Sequence, residues 1–533
     1  MPQWAPTSGG EFYEAVIGLE VHVQLASAKK MFSSSTWEFG EDANRQLDIT
    51  SAGYPGALPV INQEAVDLGL LLALALDCEI HAESRFERKS YFYPDLPKGF
   101  QITQHRHPLA SGGQLPLRRH PHAVPLAGMH LEEDAGKLLH REAETLVDLN
   151  RAGAPLAEIV SQATMRSAEE AQDFLRSLQH LVRWLKVSSG AMERGAVRCD
   201  ANISLRPKSG TQLGPRVEIK NLNSVRHLGL ALEHEISRQR RLLNSGQPIT
   251  SETRGFDPRQ RCTLPQRNKE DSLEYRYLSE PDLPPLRADQ ERLHPLAKKL
   301  PKLPWQRRQR LESRWRLSAK MSRELTSSAA LTQYFEDAMA SLNDLPTSMA
   351  RTVTNWVLNE TLGALRTWRE QERVAKQVAS SDSLQHRDSE IPPPDRLPAA
   401  ACAAVVRLVH GGELSSTAGQ DLILDLLREP LGIQQKSETW VASIRRRVEN
   451  RGWSQVRDAE SLRTWTDSTL QAHPQQVEEF RAGKDALLGF FIGKVMTLSG
   501  GRADPQQVRQ LLLEVLRKSD PEASDSAPQG GQA

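Results

Sequence analysis

Four stretches in the first 220 residues alternate apolar and polar side chains with a period of two. They cover residues 17–25, 129–134, 199–206 and 216–220. Successive side chains of a strand point to opposite faces, so this period predicts β-strands and sorts their residues. Ile17, Leu19, Val21, Val23 and Leu25 enter a core, and Glu20, His22 and Gln24 line the other side. Asp200, Asn202, Ser204 and Arg206 form a second polar row, Glu218 and Lys220 a third, and His130, Glu132 and Glu133 lie in the stretch between. Any half-solvated strand alternates in this way. Asp and Asn, however, are depleted from strands. Strands that choose Glu, His, Asp and Asn therefore predict a surface built for metal and phosphate chemistry.

The apolar spacing changes elsewhere to that of helices. Residues 63–77 are apolar and helix-forming, with Asn62 placed to cap them. Ser167-Ala168-Glu169-Glu170 has the form of a capping box and opens a helix striped by Phe174, Leu178, Leu181 and Leu185. Val225, Leu228, Leu232 and Ile236 make another stripe, with Glu233, Arg238 and Arg240 expected to face out. Strand signals nearly vanish after residue 300. Helices are predicted over 307–317, 326–341 and 351–373, again from 399, and finally over 505–517. Residues 380–396 hold Ser, Asp and three consecutive prolines and read as a linker. Residues 519–533 read as a disordered tail. The class is α+β: an N-terminal domain with a mainly antiparallel sheet flanked by helices, then an all-α region.

A chain of 533 residues is too long for one core. Its 38% hydrophobic and 25% charged residues fit a soluble protein. The longest apolar run, residues 68–76, is too short to span a membrane, and residues 1–12 show neither a signal nor a transit peptide. Four scattered cysteines form no CxxC pair, which fits a reducing cytoplasm. A net charge of +1 gives no global attraction to nucleic acid, so any RNA-binding surface is local. No GxxxxGK[ST] phosphate loop, kinase glycine loop or HExxH is present.

Several longer motifs stand in a fixed order. They include Val16-Ile17-Gly18-Leu19-Glu20-Val21-His22, Tyr54-Pro55-Gly56-Ala57-Leu58-Pro59-Val60 and Arg88-Lys89-Ser90-Tyr91-Phe92-Tyr93-Pro94-Asp95-Leu96-Pro97-Lys98. After them come His130-Leu131-Glu132-Glu133-Asp134-Ala135-Gly136-Lys137, Asp148-Leu149-Asn150-Arg151-Ala152-Gly153-Ala154-Pro155-Leu156 and Arg198-Cys199-Asp200-Ala201-Asn202-Ile203-Ser204-Leu205-Arg206. Glu218-Ile219-Lys220-Asn221-Leu222-Asn223-Ser224 and Tyr275-Arg276-Tyr277 follow, and Ala482-Gly483-Lys484 stands near the end. With them the chain resembles the B subunits of the aspartyl/glutamyl-tRNA amidotransferases.

That resemblance implies a cradle-shaped catalytic domain over 1–298, a helical domain over 299–415 and a tail domain over 416–518 that contacts tRNA. It implies ATP- and Mg²⁺-dependent phosphorylation of the side-chain carboxylate of Glu or Asp on mischarged tRNA(Gln) or tRNA(Asn). The acyl phosphate would then be amidated with ammonia from an amidase (A) subunit, in a heterotrimer completed by a small C subunit. Glu20, His22, Lys89, Lys98 and Glu133 are the expected catalytic residues. Glu20, His22, Glu132, Glu133, Asp200 and Glu218 are the expected metal ligands, Asn202, Ser204, Arg206 and Lys220 the nucleotide contacts, and Lys484, Lys494 and Arg502 the tRNA contacts. Glu132 and Glu133 are consecutive, so both serve one site only if the strand bends. Where many relatives carry a cysteine zinc site, this chain has Ser33, Ser35, Asp48 and Ser51. Ser is not a usual Zn²⁺ ligand, so no structural zinc is expected, and packing around Met31, Phe32 and Trp37 takes its place. Two alternatives stand beside this reading: a noncatalytic tRNA-binding scaffold, and a stand-alone metal-dependent hydrolase.

Overall fold

The computed structural model describes residues 13–208, 210–268, 275–342, 346, 348–377, 391–392, 395–431, 440–456 and 458–517. Residues 1–12, most of the expected linker and the expected disordered tail lie outside them. The chain divides into two compact units, residues 1–307 and 308–533.

The first unit is built on a ten-stranded sheet. Its main strands are β1 (Tyr13–Gln24), β2 (Ala123–Glu133), β3 (Pro155–Ser161), β4 (Val197–Pro207), β5 (Val217–Lys220), β6 (Glu252–Asp257) and β7 (Cys262–Asn268). They run in the order β7-β6-β5-β4-β1-β3-β2, and short strands Ala110–Ser111 and Glu79–Ile80 extend the β2 edge. All these pairs are antiparallel except β5–β6. The four predicted stretches are thus β1, β2, β4 and β5 of one sheet, and the predicted α+β class holds.

Alternation does the sorting on β1. Ile17, Val21 and Val23 are 0% exposed, and His22 and Gln24 are half-buried. Helices α1 (Ala168–Trp184) and α2 (Val225–Asn244) pack on each other and against β1 and β4. The helices begin where the caps predict: Ser167 Oγ accepts from Glu170 N at 3.1 Å, and Asn62 Oδ1 accepts from Ala65 N at 3.3 Å. The stripe of Phe174, Leu178, Leu181 and Leu185 is buried as expected. Each such side chain removed from water contributes about 1.5–3 kcal/mol.

One expectation on α2 is corrected. Arg238 does not face out. Its guanidinium reaches Glu235 at 2.7 Å and Glu252 at 3.1 Å, with Arg254 joining Glu252 at 2.9 Å. Glu235 is fully buried, and an unpaired carboxylate there would be costly, so the arginines turn inward.

Among its described residues the second unit is helical, with two separate apolar cores. One draws on Leu311 through Val448, and the other on Leu462 through Leu516. The helix expected over 326–341 runs over Ala329–Ala340, with Ser328 capping its start, and a further short helix, Ala319–Leu325, precedes it. The pattern over 351–373 becomes Met349–Asn355, a π-turn over Trp356–Thr361, and Leu362–Gln377. Trp356 is buried there against the helix Ser416–Arg428. A Cβ on Gly419 of that helix would lie 2.6 Å from its ring.

Candidate active site

A row of side chains crosses four strands on the sheet's polar face. Register places Arg198 of β4 opposite His22 of β1, His22 opposite Glu158 of β3, and Glu158 opposite His130 of β2. His22 Nε2 lies 3.3 Å from Glu132 and 3.5 Å from Glu158. His130 Nε2 lies 2.8 Å from Glu158 and 3.8 Å from Glu132. Glu20 stands opposite Asp200 in the neighbouring row. The ligand atoms of Glu20, His22 and Glu158 lie within 4.8 Å of one another, as do those of His130, Glu132 and Glu158. Either trio could hold a divalent cation, and Glu158 belongs to both.

The charges are strongly coupled. Burial alone would push the two imidazoles down, but hydrogen bonds to Glu132 and Glu158 outweigh it, raising His22 to about 10 and His130 to about 9. Burial also acts to raise Glu132, yet the bonds from His130 and His22 hold it at about 2. Glu158 is pulled below the ordinary carboxylate range by the same two histidines. Glu20 is raised to about 7, first by burial and then by the Glu158 charge. The two carboxylates thus favour the protonated form of both imidazoles at neutral pH. Ligation needs neutral imidazole, so metal binding must release protons. Titration with Mg²⁺ or Mn²⁺ at pH 7 should release one or more protons per ion, and affinity should rise with pH. Calorimetry in two buffers of different ionisation enthalpy measures this. A buffer-independent heat and a pH-independent Kd would refute it.

The other expected residues surround this row in different ways. Asp200 and Glu218 share Lys220, whose Nζ lies 2.8 Å and 2.9 Å from them. Thr253 Oγ1 also donates to Glu218 at 2.9 Å. Asn202 stands opposite Glu218 in register. Ser204 is buried, and Arg206 pairs with Glu14 at 2.5 Å, toward the far end of the strand from His22. Lys89 lies over the Tyr275 ring at 4.9 Å and is held up by the charges of Glu132 and Tyr277 against its burial.

Glu132 and Glu133 part company, as alternation requires. Glu132 joins the histidines and accepts from Thr103 Oγ1 at 3.2 Å. Glu133 pairs with Lys98 and accepts from Ile102 N at 2.9 Å. Of the expected ligands, Glu133, Asp200 and Glu218 belong to neither candidate trio.

Ser33 and Ser51 meet at 3.3 Å, and Asp48 accepts from Ser51 N at 2.8 Å. Met31 and Phe32 are buried beside them, with Phe32 edge-on to Phe86 at 5.1 Å, and Trp37 is half-buried. Lys30 is fully buried, and desolvation lowers its amine to about 8. In the second unit Lys484 pairs with Glu479 at 3.0 Å, Lys494 sits over Phe490 at 5.4 Å, and Arg502 Nε donates to Ser499 O at 3.1 Å.

Glu158, His130 and Arg198 were missed as site residues. Glu158 is the lone acid in Pro155-Leu156-Ala157-Glu158-Ile159-Val160, and its place between two histidines comes from the strand order.

Residues 15–294 match the family model described as the GatB/GatE catalytic domain, and residues 333–516 match the one described as the GatB domain. The chain is 38% identical over 518 residues to the B subunit of an aspartyl/glutamyl-tRNA(Asn/Gln) amidotransferase from Thermosynechococcus vestitus, covering 95% of this chain and 96% of that one. It is 38% identical over 507 residues to the protein of the same description from Persephonella marina, covering 95% and 100%. The one from Geobacillus thermodenitrificans is likewise 38% identical, over 509 residues, covering 95% and 99%.

Proposed function

The chain belongs to the family of amidotransferase B subunits, and from that premise we propose that it activates and amidates the side-chain carboxylate of Glu or Asp on mischarged tRNA(Gln) or tRNA(Asn). A carboxylate is a poor electrophile because oxide leaves badly. Phosphorylation by ATP supplies a leaving group, and ammonia then displaces phosphate to give the amide. Phosphoryl transfer asks mainly for positioning and charge neutralisation.

The observation that carries this reading is the convergence of Glu20, His22, Glu132, Glu158 and His130 on one sheet face, inside the segment that matches a catalytic domain. Glu20, His22 and Glu158 would hold a divalent cation, and the oxygen-rich donor set fits Mg²⁺, with imidazole also admitting Mn²⁺. Such an ion supplies charge neutralisation for the transferring phosphoryl group. Lys220 and Lys89 flank the row and suit phosphate oxygens, while Asn202 offers a polar contact to the nucleotide.

Ammonia would come from a glutaminase partner (A) subunit, with a small C subunit completing a heterotrimer. Among the described residues no helix is long and apolar enough to cross a membrane, and the four cysteines are free. Both facts are compatible with a cytoplasmic complex.

The test is amidation by the assembled complex on Glu-tRNA(Gln) and Asp-tRNA(Asn). We expect product with glutamine or ammonium, only when ATP and Mg²⁺ are present. The isolated chain should show no glutaminase activity. Amidation without ATP, or glutamine hydrolysis by the isolated chain, would sink the proposal.

A further inference from the structure

We infer that Arg198 is the group that receives the substrate's side-chain carboxylate, an assignment that rests on the amidation proposed above. The reacting group is an anion. The face it must approach carries Glu20, Glu132, Glu158, Asp200 and Glu218, all of which repel it when ionised. A counter-charge is needed before chemistry can begin.

The cations on this face are not equally available. His22 and His130 are engaged with Glu132 and Glu158. Lys220 is divided between Asp200 and Glu218. Lys89 sits over an aromatic ring. Arg198 stands opposite His22 in register, with a side chain 37% exposed. Its Nη2 meets Asp134 at 2.8 Å. A guanidinium offers five donors in a planar fork, so one such pair leaves room for a bidentate carboxylate.

The pair with Asp134 also sets a buried counter-charge beside the fork. Asp134 is 2% exposed, its N–H donates to Ala154 O at 2.8 Å, and its own C=O accepts from Gly153 N at 2.9 Å. Arg151 lies 3.5 Å from the same carboxylate and is clamped by bonds to Ala135 O at 3.0 Å and Gly136 O at 2.6 Å. A buried aspartate whose backbone is held on both sides keeps that counter-charge in place beside the guanidinium. A planar fork also explains why arginine rather than lysine occupies the position.

This assignment has a chemical corollary. The product's side chain is a neutral amide. It cannot make the charge-assisted pair, so binding at Arg198 favours the acid over the amide and helps release product.

The experiment uses the assembled complex with Arg198→Lys and Arg198→Gln. It measures Kd for the misacylated tRNA that the wild type amidates, Kd for the correctly amidated product tRNA, and KM for ATP. Both variants should weaken the misacylated tRNA about tenfold or more, the scale of a lost charge-assisted hydrogen bond. Product tRNA affinity and the ATP KM should stay within about twofold. A structural defect would weaken both tRNAs alike, and that result overturns the assignment. So does wild-type behaviour of Arg198→Lys, or an effect confined to ATP. Arg198→Lys keeps a charge beside Asp134, so it reports even if Arg198→Gln does not fold. A wild-type complex that amidates no tRNA would instead remove the parent reading, and the assignment with it.

Discussion

Glu158→Gln is expected to lower ATP-dependent amidation by about 10²–10³-fold, the range seen when one preorganised charge-stabilising group is removed from an active site. Glu158 is the one carboxylate common to both trios. Glutamine keeps its shape and loses its charge, so a bound ion would lose an anionic ligand while the sheet keeps its packing. Affinity for Mn²⁺, read by calorimetry, should fall with activity. Without a metal the same change should also destabilise the fold, and its pH dependence has a fixed sign. His22 and His130 are raised from 6.5 to about 10 and about 9, so their stabilising share is complete below pH 6.5 and is lost as pH rises through 9 to 10. Glu158 is lowered, so its share is complete above 4.5 and is lost as pH falls. The gap in melting temperature between wild type and variant, measured in EDTA, should therefore be widest between about pH 4.5 and 6.5 and close above about pH 10. A gap that widens toward pH 10 would show that the pairs are not what holds this face together. His22→Ala should match the loss of activity, because it removes a ligand from the trio containing Glu20.

Much of the fold was legible because one rule governs it. Period-two alternation identified β1, β2, β4 and β5, and their polar sides do share a face. The caps at Asn62 and Ser167 marked real helix starts for the same local reason. What could not be read was anything that depends on which strands become neighbours. Glu158 lies in a strand apolar enough to pass for plain core, and only the β1–β3–β2 order sets it between two histidines. His130 was in view within its motif but gains its role only from that same order. Arg238 illustrates the opposite failure. Helical spacing sent it to solvent, but a buried Glu235 one turn away and Glu252 on β6 drew it in. The doubt over Glu132 and Glu133 was correctly posed from the sequence. Its resolution needed the strand Phe100–Thr103, which meets Glu132 through Thr103 and Glu133 through Ile102.

Deleting residues 457–533 from the complex should weaken its binding of charged tRNA while leaving ATP and metal binding within about twofold. The placement of the cut follows from the two helical cores. A cut at 416 would strip Leu422, Ile423, Leu426 and Leu427 from the core that begins at Leu311, and loss of binding would then report unfolding. A cut after Val456 removes only the second core, from Leu462 to Leu516, with its short bridge between Val456 and Ala503. The removed segment carries Lys484, Lys494 and Arg502. The partner of Lys484 is an exposed glutamate, a pair worth less than about 1 kcal/mol, so a phosphate can displace it. Helices with scattered cations suit the RNA backbone and its shape rather than base edges. Each phosphate no longer neutralised reduces the slope of log Kd against log salt by about 0.7–0.9, so removing these three cations should flatten it by roughly 2–3. Affinity measured at several salt concentrations, for the full and the shortened complex, gives both numbers. Equal affinity and equal slope would mean that these cations do not touch the tRNA, and that its phosphates are met by the sheet unit or by another subunit of the complex.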